Sequence, residues 1–278
     1  MFESRNLVIA TKHKKENVIL PLIQSELKVK CFLPNDFDTD LLGTFTGETE
    51  RKNNALDTVR NKCLMAMDYA NCDLGIASEG SFGAHPTVFF ASANEEFLIL
   101  IDKKNDLEIV VRELSLETNF DGKIIKSEAE LFNFAQKSLF PSHGLILKNA
   151  EEHFSEIKKD IQNKKQLLEG YLYFIKKYGS CYIETDMRAM NNPTRMKVIE
   201  KATNKLIEKI KSCCPECGTP GFGIKNAISG LRCELCNMPT KSTFAYVYEC
   251  EKCHFTLENK YPNNKTYEDP TYCDFCNP

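Results

Sequence analysis

Four Cys-x-x-Cys pairs lie in the last 65 residues of this chain of 278 and constrain that part more than any other feature. They are Cys214/Cys217, Cys233/Cys236, Cys250/Cys253 and Cys273/Cys276. Fifteen residues separate the first two pairs and nineteen separate the last two, and both gaps are typical of a four-thiolate zinc site. Two such turns complete a tetrahedron around one ion. We therefore predict two structural zinc ions, one on the first four cysteines and one on the last four. A crossed arrangement that exchanges pairs is the alternative.

The remaining five cysteines (Cys31, Cys63, Cys72, Cys181 and Cys213) show no pairing pattern, although Cys213 adjoins a ligand and could in principle replace Cys214. The first residues contain no signal peptide, and no apolar run is long enough to span a bilayer. Thirteen cysteines in such a chain favour a reducing compartment, so we expect a cytoplasmic protein without membrane contact. Redox or disulfide chemistry is the alternative interpretation of the pairs.

The charge distribution argues against nucleic acid as a partner. Residues 212–278 hold six Lys/Arg against eight Asp/Glu, and residues 1–150 hold 17 against 22. Phosphate backbones bind to clustered positive charge, which neither segment supplies. A small phosphate-bearing ligand is still compatible with this balance. The sequence does not indicate an oligomeric state.

The start of the chain predicts a phosphate-binding turn. The apolar run from Leu7 to Ala10 indicates a buried strand, and Asn17 to Leu27 has helical spacing. The turn between them carries Thr11, His13, Lys14 and Lys15. Helix N-terminal N–H groups and lysine side chains both favour an anion. The alternative is a solvated basic loop.

A second candidate site follows the next buried strand. Gly47 to Ala70 reads as one long helix, and Cys72 to Ala77 as a strand. We expect a glycine- and serine-rich turn from Ser78 to Pro86, in which Glu79 holds a divalent metal and Ser78 and Ser81 contact substrate. A plain β-turn connection is the alternative.

Three strand-like runs then suggest antiparallel hairpins: Val88–Ala93, Phe97–Ile101 and Leu107–Leu114. Ser127 and Glu130 form a capping box that opens a helix, and Gly144–Lys148 indicates a last strand. Residues 1–150 are therefore predicted to form an α/β domain with a mixed sheet flanked by helices.

Residues 151–211 are predicted to be a helical connector to the small zinc-ribbon module at 212–278. A helix is expected over 151–178, and its three Lys-Lys pairs read as a solvated face. A short strand at Cys181–Glu184 precedes a second helix, which Asn192 caps and Pro193 begins, and which runs to Lys211. Arg188 and Arg195 could grip a carboxylate or phosphate. The alternative is an internal ion pair with Asp186.

Over residues 1–100 the chain resembles the inosine/xanthosine triphosphate pyrophosphatases, which cut non-canonical purine nucleotides. The matching segments are Ala10-Thr11-Lys12-His13-Lys14-Lys15, Asn53-Asn54-Ala55 with Lys62 on the same helix, and Ala77-Ser78-Glu79-Gly80-Ser81. The resemblance implies a Mg²⁺-dependent hydrolase in which Lys62 joins the substrate-binding residues. The chain departs from the pattern at Asn53, where those enzymes carry a glutamate that helps to bind Mg²⁺, and at Ser78, where they carry an acidic residue. Glu48, Glu50, Asp57 and Asp73 are the acidic residues that could substitute.

A second resemblance covers nearly the whole chain. The ordered strings Ser-Glu-Gly-Ser-Phe-Gly, Thr-Asp-Met-Arg-Ala with Asn-Pro-Thr-Arg-Met, and Cys-Pro-x-Cys-Gly-Thr-Pro-Gly look like an uncharacterised microbial family, a domain of unknown function. We therefore expect a zinc-binding protein with a Mg²⁺-dependent nucleotide or phosphate-ester hydrolase domain. The alternative is a non-catalytic nucleotide-sensing or adaptor protein that contacts a partner through its zinc ribbons.

Overall fold

A computed structural model describes residues 1–35, 37 and 54–278, which divide into two compact units, Met1–Leu206 and Ile207–Pro278. The described strands of the first unit are β1 Asn6–Ala10, β2 Lys30–Phe32, β3 Leu74–Ala84, β4 Ser92–Asp102, β5 Leu107–Ser115, β6 Gly122–Ile125, β7 Leu145–Lys148, β8 Ile157–Ile161 and β9 Cys181–Thr185. The described helices are α1 Glu16–Leu27, α2 Ala55–Tyr69, α3 Glu128–Lys137, α4 Lys164–Tyr178 and α5 Pro193–Lys211. None of these helices is long and apolar enough to cross a bilayer.

The first sheet has the strand order β2-β1-β3-β4-β5 and is mixed, as the sequence predicts. Strand β1 is parallel to both of its neighbours, whereas β3, β4 and β5 form an antiparallel meander. Ala10 aligns with Ala77, so the segments that follow these residues begin side by side. One face of the sheet is covered by α2, whose apolar stripe packs on residues such as Val8 and Ile99.

Helix α2 is shorter than predicted. Asn54 has an extended backbone, and its side chain accepts a hydrogen bond from the N–H of Asp57 at 2.8 Å. This is the arrangement of a helix N-cap, so the helix begins at Ala55. The prediction of one continuous helix from Gly47 is therefore wrong at its start, and residues 47–53 lie outside the described part of the chain.

Strand β3 is longer than predicted. The segment from Ser78 to Ala84 continues the strand and pairs residue by residue with β4, so the predicted turn at Ser78–Pro86 is wrong. The chain reverses later, where the N–H of His85 donates to Ala91 O at 2.8 Å. The run Val88–Ala93 is therefore mostly the hairpin connection and not a separate strand. The antiparallel pairing predicted for the following runs is confirmed.

The second sheet of this unit has the order β6-β9-β7-β8 and is antiparallel. Its core joins α3 and α4 to the sheet through residues such as Leu131, Phe174 and Ile183. Because β7 pairs with β8 and β9, the domain boundary predicted near residue 150 falls inside this sheet. The helix predicted from residue 151 is wrong in its first part, which forms β8, and α4 starts after its cap at Asn163.

The start of α5 and the second unit complete the fold. Asn192 Oδ1 accepts the N–H of Arg195 at 2.9 Å, so the predicted cap before Pro193 is confirmed. The second unit contains the antiparallel strands β10 Gly223–Ser229, β11 Thr243–Glu249 and β12 Thr256–Lys260. Its small core is made of Phe222, Tyr248 and Phe255 beside two cysteines.

Candidate functional site

The eight paired cysteines of the second unit form two groups of four. One group is Cys214, Cys217, Cys250 and Cys253, and the other is Cys233, Cys236, Cys273 and Cys276. All Sγ atoms within a group lie within 4.8 Å of one another, and four of the Sγ–Sγ distances are 3.6–3.8 Å. A tetrahedral ion with metal–sulfur bonds of 2.3 Å would have Sγ–Sγ edges of about 3.8 Å. Each group could therefore hold one metal ion.

The same backbone turn presents the thiols in every pair. The residue after the second cysteine donates its N–H to the carbonyl of the first, at 2.8–3.0 Å in all four pairs. In three pairs that residue has a positive φ, and two of the three, Gly218 and Asn237, are types that adopt this conformation readily. The hydroxyl of Thr219 lies 3.2 Å from Cys217 Sγ and is the main cause that lowers the pKa of this thiol to about 6. The local sequence thus fixes the turn, and at Cys217 it also favours the thiolate.

The pairing of the turns is crossed, so the prediction that consecutive pairs share an ion is wrong. The strands explain this, because one strand separates each cysteine pair from the next. In the antiparallel sheet Gly223 aligns with Glu249, which places the pair before β10 at the same end as the pair after β11. The second and fourth pairs meet at the other end. Cys213 is not part of either group, and Cys214 occupies the ligand position.

A buried charged cluster surrounds β3 in the first unit. On one face of the sheet, Lys15 Nζ lies 3.2 Å from Ser78 Oγ and 3.4 Å from Glu96 Oε2. Arg195, which is fully buried, donates from Nε to Glu96 Oε1 at 2.6 Å and from Nη1 to the carbonyl of Met187. Glu96 therefore joins a lysine that precedes α1 to an arginine in the first turn of α5.

The opposite face of β3 carries a second ion pair. Successive side chains of a strand point to opposite faces, so Glu79 points away from Ser78 and Gly80. Its carboxylate pairs with Lys62 of α2, and Lys62 Nζ also lies 3.4 Å from the carbonyl of Ser78. Both side chains are buried. The structure thus brings Lys15, Lys62, Ser78, Glu79 and Arg195 together around one strand, but it divides them between its two faces.

Burial and neighbouring charges set the protonation of this cluster. Burial lowers the pKa of Lys15 to about 8, although the neighbouring Glu96 raises it in part. Burial would by itself raise the pKa of Glu96, but the charges of Arg195 and Lys15 outweigh it and lower the value overall. Glu96 is therefore a carboxylate, and the Lys15 ammonium group loses its proton more readily than that of an exposed lysine.

The side chains of Arg195 and Glu96 meet directly above the backbone of Gly80. A Cβ atom at this position would lie against Arg195 Nη2 and 2.5 Å from Glu96 Oε1. The close approach to this glycine is made by the chain's own ion pair. Arg195 also lies over the ring of Phe82, with its guanidinium carbon 5.0 Å from the ring centre.

Other predicted site residues lie at the margin of this cluster or away from it. Thr11 Oγ1 is 3.4 Å from Glu16 Oε2, and His13 and Lys14 both adopt positive φ in the turn before α1. Ser81 lines an open cleft of about 210 Å³ together with residues of β4 and β5. Arg188 pairs with Asp186 at 2.6 Å and with Asp160 at 2.8 Å. This is the internal ion pair that the sequence analysis gives as the alternative to ligand binding.

Two residues of the site were not predicted from the sequence. Glu96 lies beside Glu95, just before the strand-like run Phe97–Ile101, and nothing in the sequence distinguishes the buried carboxylate from its half-buried neighbour. Asn94, two residues earlier on the same strand, is 1% exposed, and neither end of its amide has a hydrogen-bond partner among the described residues. Asn94 lies on the same face of the sheet as Glu96, so its amide adds one hydrogen-bond donor group and one acceptor to that face.

The described residues do not form the magnesium site that the resemblance implies. Among them, the only groups of three or more Asp, Glu, His or Cys side chains close enough to share an ion are the two cysteine groups. Asp57 bonds to Asn54 and Arg60, and Asp73 to Arg5, so neither joins Glu79. The predicted substitutes Glu48 and Glu50, and Asn53, lie outside the described part of the chain.

The fold and the cysteine groups together define a class: a mixed α/β unit followed by a module with two crossed four-cysteine sites. The chain belongs to the family described as "Domain of unknown function (DUF6671)", whose model matches residues 62–278. The match contains β3, β4, α5 and both cysteine groups, and it begins at Lys62. No curated protein matches the sequence.

Proposed function

We propose that each four-cysteine group holds one structural Zn²⁺ ion. Four thiolates are a closed donor set that leaves no position for a substrate, which is typical of structural sites. The second unit has a core of few apolar side chains, so metal binding would supply much of its folding free energy. Metal analysis of the purified chain should give about two zinc ions per molecule. A value of one or none would contradict the proposal.

We further propose that the α/β unit binds a small phosphate-bearing molecule, with a nucleotide as the first candidate. The observation that carries this proposal is the convergence of three buried cations, Lys15, Lys62 and Arg195, on the segment Ser78–Gly80. The two carboxylates among them, Glu79 and Glu96, leave the cluster with an excess of positive charge. A phosphate group would compete with these carboxylates for the cations and would be held by charge-assisted hydrogen bonds.

Hydrolysis of this ligand is the reaction that we propose first, because the resemblance to nucleotide pyrophosphatases implies it. Lysine and arginine side chains around a phosphoryl group stabilise the charge that develops on its oxygens. In this scheme Lys15 and Arg195 bind and orient the phosphates on one face of β3, Ser78 positions Lys15, and Lys62 adds positive charge from the opposite face. The role that the resemblance implies for Glu79, metal binding, would require its separation from Lys62.

A non-catalytic nucleotide-binding function is the second candidate, and the pairing of Glu79 with Lys62 favours it. A carboxylate that is neutralised by a buried lysine is a poor ligand for a divalent cation. A protein that binds a nucleotide without hydrolysing it could act as a sensor or adaptor. In that case the cysteine module would supply the contact with a partner.

One experiment separates these readings. Binding of a panel of purine nucleotides is measured by calorimetry, and release of phosphate or pyrophosphate is followed with Mg²⁺ or Mn²⁺. Replacing Lys15 by Met should weaken binding by about 1.5–3 kcal/mol, the scale of a hydrogen bond to a charged group. Lys165→Met is the matched control, because Lys165 is exposed on α4.

Binding without release of either product would support the sensor and contradict the hydrolase. Glu79→Gln adds a second test, because it keeps the shape of the side chain and removes its charge. It should abolish turnover in an enzyme and change only affinity in a sensor. A chain that binds no nucleotide, or that binds equally well after Lys15→Met, would contradict the phosphate site itself.

A further inference from the structure

A buried histidine lies against the start of α5. His143 is 5% exposed, and its backbone N–H donates to the carbonyl of Leu139 at 3.2 Å in the turn between α3 and β7. Its Nε2 atom lies 3.0 Å from Thr194 Oγ1, and the N–H of Thr194 is directed at the same nitrogen at 3.4 Å. Thr194 is the second residue of α5, so an imidazole from 51 residues earlier contacts the first turn of this helix.

The partners of the ring define its protonation. Because the N–H of Thr194 points at Nε2, this nitrogen carries a lone pair, and the proton of the neutral ring is on Nδ1. Nδ1 lies 3.1 Å from Ser142 Oγ, which accepts from it and donates its own hydroxyl proton to the carbonyl of Leu139 at 2.6 Å. These contacts are satisfied together only when His143 is neutral.

The imidazole supplies an acceptor that the helix itself lacks. The first N–H groups of a helix have no acceptor within it. In α5, Pro193 has no N–H, and Asn192 Oδ1 accepts the N–H of Arg195 at 2.9 Å. The N–H of Thr194 lies between these two, and His143 accepts it. An imidazole is an acceptor that a change of pH near neutrality can remove.

The surroundings of the ring favour its neutral form. Burial lowers the pKa of His143 below the ordinary value of 6.5, the hydrogen bond to Leu139 raises it in part, and the charge of Lys197 lowers it further. Lys197 lies one turn beyond Thr194 on α5. The partial positive charge of a helix N-terminus opposes a cation at the same place.

The carboxylate beside this turn is held by other groups. The backbone N–H of Asp186 donates to the carbonyl of Gly144, the residue after the histidine, at 2.9 Å. Its carboxylate pairs with Arg188 at 2.6 Å and accepts from Asn191 Nδ2 at 2.8 Å. Asp186 is therefore neutralised by its own arginine.

Arg195 connects the histidine to the buried charged cluster. It follows Thr194 directly, and its side chain is held by Glu96 Oε1 at 2.6 Å and by the carbonyl of Met187. A buried side chain that is held at two points depends on the position of the backbone from which it extends. Movement of the first turn of α5 would therefore displace the guanidinium from Glu96 and from the space above Gly80.

We propose that His143 is a positioning residue that holds the first turn of α5, and with it Arg195, only while its imidazole is neutral. Protonation of Nε2 removes the acceptor of the Thr194 N–H. The charged ring can still donate to Thr194 Oγ1, but it then faces this N–H and the helix N-terminus with a like charge. The first turn of α5 should therefore loosen as pH falls below 6.5. A second consequence, weaker binding of a phosphate ligand at low pH, rests on the proposed function.

The test is amide hydrogen exchange of the full chain at about pH 7 and about pH 5, a range in which histidine changes its charge. Peptides that cover the start of α5 are followed by mass spectrometry, and the wild type is compared with His143→Gln at each pH. Glutamine keeps an acceptor oxygen on a side chain of similar reach and does not titrate. The ratio of the wild-type to the variant exchange rate should rise at least about fivefold at the lower pH, the scale of one lost hydrogen bond.

His153→Gln is the matched control, because His153 is exposed in the connection between β7 and β8. The ratio of the wild-type rate to the rate of this variant should not change with pH. A ratio for His143→Gln that is constant with pH would overturn the proposal. Titration of the wild type by NMR tests it without any substitution, since the amide resonance of Thr194 should move with the same midpoint as the ring protons of His143. A Thr194 resonance that does not follow the ring would also overturn it.

Binding of inorganic pyrophosphate, measured by calorimetry at the same two pH values, tests the second consequence. The affinity of the wild type should fall relative to that of His143→Gln at the lower pH, because Arg195 is then less well held. A chain that binds no pyrophosphate would contradict the proposed phosphate site and leave the exchange result intact. Pyrophosphate binding with an exchange ratio that is constant with pH would contradict the role of His143 alone.

Discussion

Gly80 shows how a single residue without a side chain allows the buried cluster to form. Arg195 is held at two points, by Glu96 and by the carbonyl of Met187, so it cannot move aside as an exposed arginine would. A methyl group at position 80 would meet both partners of the ion pair at less than contact distance. The glycine is therefore required by packing, since its backbone does not adopt a positive φ.

We predict that Gly80→Ala lowers the free energy of unfolding by about 1–3 kcal/mol, the usual cost of inserting a methyl group into a packed interior. Gly83→Ala is the control on the same strand, because no atom lies within 4 Å of the Cβ that it would add. It should change stability by less than about 0.5 kcal/mol, as surface substitutions usually do. Denaturant unfolding of both variants measures the difference. Equal effects at the two positions would show that Arg195 and Glu96 do not occupy the space above Gly80.

Lys15 makes the stability of the cluster depend on pH. Its pKa is about 8 in the folded chain and 10.5 when exposed, so between these values the unfolded chain binds more protons. Stability should therefore rise with pH across this window, because burial of the charged form is unfavourable and the charge is lost there. The full effect is at most about 3 kcal/mol, from 1.36 kcal/mol per pKa unit.

The difference in unfolding free energy between the wild type and Lys15→Met, measured from pH 7 to 10.5, isolates this contribution. It should change in favour of the wild type as pH rises through about 8 and level off above about 10.5. Affinity for a phosphate ligand should fall over the same lower range, since neutral Lys15 no longer attracts an anion. A difference that is constant with pH would show that Lys15 titrates normally.

At the scale of elements, the strands between the cysteine pairs decide which pairs share an ion. The segments Gly223–Ser229 and Thr243–Glu249 each lie between two consecutive pairs, and an antiparallel meander sends successive pairs to alternate ends. The sequence signal is clear for Thr243–Glu249, which is rich in aromatic and β-branched side chains, and weak for Gly223–Ser229, where only Ile224 and Ile228 favour a strand. The spacing between cysteines suggests consecutive pairing. It contains no information on where the chain reverses, so it cannot reveal the crossed arrangement.

The same contrast between local and long-range information explains the first unit. Local signals placed β1, the cap at Asn192 and the helix from Pro193 correctly, because caps and apolar runs act within a few residues. The Ser78–Ala84 segment looks like a turn because glycine and serine are common in turns. It is a strand because β4 pairs with it along its whole length and Arg195, more than 100 residues later, fills the space above Gly80. Glu96 is also far in sequence from both of its partners, 81 residues from Lys15 and 99 from Arg195, so local signals do not indicate its role.

Double substitutions distinguish crossed from consecutive pairing by zinc content. Cys217→Ser with Cys253→Ser removes two ligands of one crossed site, so the chain should keep about one zinc ion. Cys217→Ser with Cys236→Ser removes one ligand from each site and should weaken both. If consecutive pairs shared an ion, the first double variant would lose one ligand from each site, and the second would keep about one zinc ion. Metal analysis after dialysis against a weak chelator measures it, and the unsubstituted chain is the reference.

At the scale of the whole molecule, the two units differ in what stabilises them. The apolar cores of the first unit include one beneath α2 and one between the second sheet and helices α3 and α4. The second unit has a small core of three aromatic side chains beside cysteines, and most residues of β10 and β12 are exposed. The free energy of folding should therefore come from apolar burial in the first unit and from metal binding in the second.

This difference predicts that removal of zinc unfolds the second unit and leaves the first unit folded. Amide hydrogen exchange, followed by mass spectrometry before and after a strong chelator, measures the two units separately in the intact chain. Peptides from residues 223–260 should lose protection, since the turns that order this sheet lose their ion. Peptides from β3, β4 and α4 should exchange at their original rate, because their cores contain no metal ligand. Adding zinc back should restore protection in 223–260. Loss of protection in β3 and β4 after chelation would show that the first unit depends on the metal, and retained protection in 223–260 would show that apolar packing alone holds the second.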